Sequence, residues 1–461
     1  MKHLIVFVFS ISVLAIDAQE VKEFSLKQAQ EYALEHNYDM KNANTDVLIA
    51  KKRVKETLAT GLPQINASIS TTNYFDIPTT LLPDFITPAI FAVNENFFDL
   101  QPEAPQPETQ FFPAKFGTEY NASAEVSASQ LIFSGQYFVG LQASRTFLEM
   151  ERMRNIKSEM DVRENVSRSY YFALVAEENF NVLDQNLESL EKMAYETREM
   201  YQLGFLEETD ADQLDLMVAN LQTSLQSLEN QIRLSYLNLK YSMGLPLEDS
   251  IILTDELSRL LEDIDYLALL NESFNPNNNI DYRILEKQKE LSFNQLRLEQ
   301  VAYLPNINAF FSASGMAMRS EFNFFDTDKK WYPTTLWGVE MNIPIFSSGN
   351  RSAKVQQARM ELQKMQVMDE KMQEGLDVQV RTARNNFNTA YLTYQDKSKN
   401  LEIARRIYEK TQQKYEEGVA TSMDLQQNYN QYLTAQTEYV NVIFEVLDSQ
   451  LKLEKILEEV N

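Results

Sequence analysis

No cysteine occurs in the 461 residues. That excludes a disulfide framework, a thiolate metal site and a lipid-modified N-terminal cysteine. Histidine is nearly as scarce: only His3 and His36 are present. His36 falls in a helical pattern and reads as a solvated polar residue. A Cys–His site is impossible, and a Ser–His–Asp site would have to use His36. No Gly-rich phosphate loop and no H-E-x-x-H stretch occurs, and the abundant acids fall on solvent faces of helices. No enzyme, no cofactor and no metal site is therefore expected. Glycine (11) and proline (13) are rare for this length, which favours long helices. After residue 18 no uncharged apolar run reaches the ~18 residues of a membrane-crossing helix. Basic residues are outnumbered, 42 against 67 acids, for a net charge of −25, which argues against nucleic acid and against a peripheral anchor on anionic lipid.

What is present begins with a secretory signal over residues 1–18. Lys2 supplies the charge, Leu4 to Ile16 the short apolar stretch, and Ala18 the cleavage position before Gln19. Removing it takes away Lys2 and Asp17, so the charge of the remainder is unchanged. The chain is expected to be exported across a bacterial inner membrane. A well-solvated secreted protein remains a possible reading at this point.

From Ser25 to Thr60 the pattern is helical, with Ser25 as N-cap and Gln28 completing a capping box. Gly61-Leu62-Pro63 stops it. Ile65, Ala67 and Ile69 then alternate with Asn66, Ser68 and Ser70, a strand with one apolar and one polar face. Residues 72–118 read as irregular. Their acids (Asp76, Asp84, Glu95, Asp99, Glu103, Glu108) outnumber Lys115. Phe97, Phe98, Phe111 and Phe112 suggest a loop folded over an opening, with a disordered acidic loop as the alternative. A second strand alternates from Tyr120 to Ser129. Helical pattern resumes near Phe138 and runs to Tyr201, roughly 60 residues or about 90 Å. Ala173, Ala176, Phe180, Leu183, Leu187, Leu190, Ala194, Thr197 and Tyr201 keep the three-four spacing of a coiled-coil seam. A return helix spans about Asp210 to Met243, and a mixed connector follows to residue 279.

Then the plan recurs. Asn37-Tyr38-Asp39 and Leu62-Pro63 return 242 positions later as Asn279-Ile280-Asp281 and Leu304-Pro305. Strand three holds Ile307, Ala309, Phe311 and Ala313. Strand four holds Trp337, Val339, Met341, Ile343 and Ile345. Beyond it the offset is 214: the seam lands on Phe387, Ala390, Tyr394, Lys397, Leu401, Ala404, Tyr408, Thr411 and Tyr415, with Lys397 the one break. Two turns match as well, Tyr201 to Asp210 (YQLGFLEETD) and Tyr415 to Asp424 (YEEGVATSMD). Such a repeat implies the boundaries 1–18 signal, 19–243 first repeat, 244–279 connector and 280–461 second repeat.

Each repeat offers two strands of about 10 residues alternating apolar and polar, as membrane barrels are written. An ordinary half-buried sheet would suit any one strand almost as well. Four strands cannot close a barrel, and open edges are not tolerated in hydrocarbon. Barrels start at about eight strands, so two or more copies are needed and three give about twelve.

The tandem repeat, the Leu-Pro before each first strand, the stretch Pro344 to Gly349 and the Tyr-x-x-Gly-x(5)-Asp turns together resemble the TolC-like outer-membrane efflux protein family over nearly all of 25–461. The resemblance implies an α+β membrane protein. It would be a homotrimer with a 12-stranded barrel in outer-membrane lipid and an α-helical coiled-coil tunnel in the periplasm. It implies a passive exit duct for drugs or other small molecules, working with a periplasmic adaptor (membrane fusion protein) and an inner-membrane transporter. Type I protein secretion or metal efflux is the alternative, and a soluble coiled-coil interaction protein a more distant one. Carried over by position, Tyr415 is the tyrosine whose hydroxyl holds the tunnel end shut, and Asp424 belongs to the acid ring of the constriction. The family's further aspartate is Gln427 here, and its arginine is Ala420. Leu203-Gly204-Phe205 and Glu417-Gly418-Val419 match the tips that meet the adaptor, with Asp210 as a secondary tip acid. Converging Asp424 side chains should have raised pKa values. Helix N-capping is the plainer role for Asp424 and Asp210, and a left-handed C-cap that for Gly204 and Gly418.

Overall fold

The computed structural model describes residues 21–84, 111–262 and 264–459. The signal at 1–18, and Glu95, Phe97, Phe98, Asp99, Glu103 and Glu108 of the long connection, lie outside the described residues. The chain forms two compact units. One comprises Met1–Lys52, Arg145–Phe293 and Arg359–Asn461; the other comprises Arg53–Ser144 and Asn294–Ala358.

The first unit is helical. Helix α1 (Leu26–His36) starts at the expected capping box: Gln28 N donates to Ser25 Oγ at 3.4 Å, and Ser25 N to Gln28 Oε1 at 2.9 Å. The single helix expected to residue 60 is two, because Asn37 ends α1 and starts α2 (Tyr38–Ala59). Asn37 Oδ1 accepts from Asp39 N at 2.7 Å, a bond that competes with continued helix, and its Nδ2 donates to Ser242 O at 2.7 Å. Asn279 does the same 242 positions later. Its Oδ1 accepts from Asp281 N at 3.0 Å, its Nδ2 donates to Ile456 O at 3.5 Å, and α7 (Ile280–Val301) begins there. His36 is not simply solvated. It is half-buried, stacked on Tyr32 at 3.9 Å, with Nδ1 3.0 Å from Tyr32 O.

The long helices are α3 (Gly135–Gln202), α4 (Glu208–Met243), α8 (Asn350–Glu416) and α9 (Ser422–Leu457). No seam residue of either copy is exposed. Lys397 breaks the apolar pattern because it is an ion-pair partner, its Nζ 2.7 Å from Glu438 Oε2. Gly244 closes α4 with φ +74°, where a β-carbon would stand 2.4 Å from His36 O, so only glycine fits. The connector is more ordered than expected. Strand β6 (Ile251–Leu253) pairs in parallel with β1 (Lys22–Phe24), and helices α5 (Leu257–Glu262) and α6 (Tyr266–Asn271) follow. The buried Tyr170 ties this region together, its hydroxyl 2.9 Å from Phe24 O and 3.0 Å from Asp255 Oδ2.

The second unit is built on an antiparallel sheet. Its strands are β2 (Gln64–Asn73), β5 (Tyr120–Phe133), β7 (Asn306–Arg319) and β8 (Tyr332–Asn342), in the order β2-β5-β7-β8. Strand four ends before Ile343 and Ile345, since Pro344 has no N–H to extend the ladder. The connection expected to be irregular contains a further antiparallel strand pair, β3 (Thr79–Pro83) with β4 (Phe111–Lys115).

Register decides what the sheet presents. Ile65 pairs with Ala128, Ala128 with Phe311, and Phe311 with Trp337. Directly opposed residues share a face, so Ile65, Ile69, Val126, Phe311, Trp337 and Val339 fall on one side, while Phe310, Met316 and Leu336 fall on the other. The other side carries Ser70, Ser123, Glu125 and Ser312. Ser70 and Ser123 are hydrogen-bonded at 2.8 Å, and Ser312 Oγ donates to Glu125 Oε1 at 2.7 Å. The apolar side is not a core: Ile65 is 73 %, Ile69 85 % and Trp337 80 % exposed. No helix among the described residues is long and apolar enough to cross a membrane.

Candidate functional site: the paired helix tips

Helices α3 and α8 end in the same way. Gly204 N donates to Tyr201 O at 2.8 Å, and Phe205 N to Met200 O at 2.9 Å. Gly418 N donates to Tyr415 O at 2.9 Å, and Val419 N to Lys414 O at 2.7 Å. This pair of bonds is the Schellman motif, and it needs a left-handed residue after the helix. Gly204 and Gly418 supply it, with φ of +82° and +73°.

The return helices also start alike, but the acids are not the caps. Thr421 is the N-cap of α9, and Asp424 is the third helical residue reaching back to it. Asp424 N donates to Thr421 Oγ1 at 3.2 Å, while Thr421 N donates to Asp424 Oδ2 at 3.1 Å and Thr421 Oγ1 to Asp424 Oδ2 at 2.7 Å. Glu207 takes the cap position of α4, and its N–H donates to Asp210 Oδ2 at 3.2 Å. The T-x-x-D pattern is the capping-box signal, and it is legible in the sequence.

Beyond the backbone the tips differ. Asp424 is exposed and bonded only to its own cap. The Thr421 hydroxyl and N–H stabilise its carboxylate and hold it below the usual range. In the single chain the shift is thus downward, opposite to the rise expected from crowding. Asp210 is half-buried and engaged with the other tip: the Ser422 hydroxyl donates to Asp210 Oδ1 and lies 2.8 Å from Gln213 Oε1. A second link joins the outgoing helices. The Tyr415 hydroxyl is 3.1 Å from Thr197 Oγ1, and Thr197 is buried. Burial raises the Tyr415 pKa, the Thr197 bond offsets part of the rise and the charge of Asp210 adds to it, so the phenol stays neutral and either hydroxyl can donate. Sequence reading missed both links, because Thr197 and Ser422 are small residues whose partners lie more than 200 positions away.

The tips enclose an apolar core of Leu190, Met193, Leu214, Met217, Tyr408, Leu425 and Tyr429. Arg198 pairs with Asp212 at 3.2 Å and with Asp215, fastening α3 to α4. Outside this core the apolar residues of the turns are uncovered: Leu203, Phe205 and Val419 are exposed, beside Glu417. Between the turns lies a groove of about 660 Å³ lined by Thr197, Met200, Phe205, Tyr415 and Glu417 among others. Ala420 makes only a backbone bond, to Lys414 O at 3.1 Å, and Gln427 is exposed. Among the described residues no group of three or more acids and histidines could hold a metal ion.

Comparison with known proteins agrees with this architecture. Residues 277–458 match the outer membrane efflux protein family. A curated relative, the proteases secretion protein PrtF of Dickeya chrysanthemi, is 20% identical over 225 residues; the match spans 48% of this chain and 47% of that protein, about half its length. Among solved structures, the outer membrane protein VceC of Vibrio cholerae superposes with a TM-score of 0.68 at 14% identity, covering 94% of this chain and 96% of that one. The CmeC outer membrane channel of Campylobacter jejuni gives 0.69 at 17% identity, covering 94% and 85%. These two likenesses establish the fold. With the family match, they bear out the resemblance to TolC-like efflux proteins.

Proposed function

We propose that this TolC-like chain is one subunit of a trimeric outer-membrane exit duct. The observation that carries the reading is the four-stranded sheet. Among the described residues its edge strands β2 and β8 each pair on one side only, and its apolar face is exposed at Ile65, Ile69, Val126 and Trp337. Edges and an apolar face of that kind are stable in a bilayer only if a barrel closes. Three copies joined β8 to β2 supply twelve strands, with the face of Ile65, Phe311 and Trp337 toward lipid and the face of Glu125 and the serines toward water. This also weighs against a soluble coiled-coil protein, which would leave the face in water.

On this reading the helical unit stands in the periplasm as the tunnel. Repeats at 19–243 and 280–461, joined by 244–279, place two matched tips in each subunit. The equivalent bonds of Asn37 and Asn279, and the matched Schellman turns, support that division. Leu203, Gly204, Phe205, Glu417, Gly418 and Val419 form the surface that meets a periplasmic adaptor, which couples the duct to an inner-membrane transporter. Tyr415 closes the tip through Thr197. Asp424 is the exposed acid that three subunits bring to the constriction, where like charges raise local cation concentration and disfavour anions. The cargo is a small molecule delivered by the transporter. The likeness to the Dickeya proteases secretion protein favours protein secretion as the second reading.

Unheated and boiled samples of detergent-extracted protein test the assembly on denaturing gels. A trimer band that collapses to monomer on boiling, with conductance in planar bilayers, is expected. A protein that stays soluble and monomeric without detergent overturns the proposal.

A further inference from the structure

The connection between β7 and β8, residues 320–331, carries Phe322, Phe324, Phe325 and Trp331. It turns back onto the apolar face of the sheet. Phe324 is buried against Ala122 and Ala317, which oppose each other in the register of β5 and β7. Trp331 covers Gly315, two residues along the same face, where an added β-carbon would meet its ring at 3.5 Å. Phe322 packs edge-on against Tyr120, also on that face, at 6.1 Å. The face is made of small residues here and of large ones, Phe311 and Trp337, further along. The small residues form the bed in which the loop's rings lie.

The loop is also held in shape. Arg319 donates to Lys330 O at 2.8 Å, fixing the return end. Asp326 N donates to Asn323 O at 3.3 Å, Lys329 N to Asp326 O at 3.3 Å, and Asp328 N to Asp326 Oδ1 at 3.1 Å, so successive turns leave little slack. While Phe324 is buried, Phe322 is 60 % and Phe325 90 % exposed. Rings fixed with apolar bodies outward beside lysine and aspartate side chains suit a surface that is apolar on one side and wet on the other.

We infer that residues 320–331 form a strap on the lipid side of the sheet, which seats Phe322, Phe325 and Trp331 in the outer interface of the bilayer and leaves the pore mouth clear. The inference rests on the barrel reading above, because only then does the apolar face meet lipid. It assigns this loop to anchoring and not to gating.

The chain's two tryptophans, Trp331 and Trp337, make the test direct. Trp337 lies on the same face, five residues beyond Tyr332, or about 17 Å along the strand. Trp337→Phe and Trp331→Phe each leave one reporter in the full-length protein. Both are reconstituted in phosphatidylcholine carrying bromine near the glycerol or deep in the chains. The strap predicts that Trp331 loses more intensity to shallow bromine and Trp337 more to deep bromine. Phe324→Ser in the Trp337→Phe background should release the strap, so that Trp331 gains quenching by aqueous iodide and loses quenching by lipid. If Trp337 is quenched by lipid but Trp331 only by iodide, the barrel stands and the strap is overturned. If lipid quenches neither, the barrel reading itself fails.

Discussion

The two tips of the helical unit share a backbone and a capping acid and differ in what their other side-chain contacts reach. Both end a long helix in a Schellman turn at glycine, and both start the return helix with an acid reaching back to the cap. Yet Asp210 faces its neighbour and accepts from Ser422, while Asp424 bonds only to Thr421 and points to solvent. Tyr415 reaches Thr197 across the helices, whereas Tyr201, its counterpart, contributes a backbone carbonyl to its own turn. The difference teaches that a local motif fixes where a side chain starts but not what it does. One acid fastens the tip internally; the other remains available to partners.

Six substitutions would break or sharpen that contrast. The largest effect belongs to the shared core: Leu214→Ala on one return helix and Leu425→Ala on the other should each cost about 3 kcal/mol, since both side chains are fully buried. Denaturant unfolding checks this, and clearly unequal costs would mean the tips do not share one core. Next, Ser422→Ala should cost about 2 kcal/mol, because it removes a bond to a carboxylate. Thr421→Ala, which removes only the local cap, should cost about 1 kcal/mol. An inverted order would place the linkage within the turn and not between tips. Tyr415→Phe should cost about 1 kcal/mol and raise the conductance of the reconstituted duct, as the Thr197 bond is lost. Unchanged conductance would assign closure to other contacts.

The smallest effect on stability concerns Asp424. Its folded pKa is depressed by Thr421, so its contribution is present above the unfolded pKa and is lost as pH falls through the folded value. The difference in melting temperature between wild type and Asp424→Ala should hold from neutral pH to about pH 4 and shrink below it. Cation selectivity should fall in the same variant at neutral pH. A selectivity that does not move would remove Asp424 from the constriction and leave it as a capping residue alone.

Much of this architecture was legible in order along the chain. Alternation at 64–70 and 120–129 announced strands, because side chains on a pleated strand point to opposite faces by turns. The three-four seam announced the long helices, and rare glycines marked their ends. Elements with no period went unread. Strands β1 and β6 are three residues each and exist only because they pair with each other. Lys397 looked like a flaw in the seam until Glu438 appeared opposite it. The break at Asn37 was hidden because its partner, the Ser242 carbonyl, sits at the far end of another helix.

The sequence by itself determined the strands, the seams, the turns and their recurrence, because backbone conformation is set by residues in immediate succession. Only the tertiary structure decided which acid is engaged and which is free, and that the β7–β8 connection lies back on the apolar face. Those outcomes depend on side chains brought together from segments distant in the chain, such as Asp210 with Ser422, or opposed across strands, such as Ala122 with Ala317. No local period in the sequence encodes such meetings.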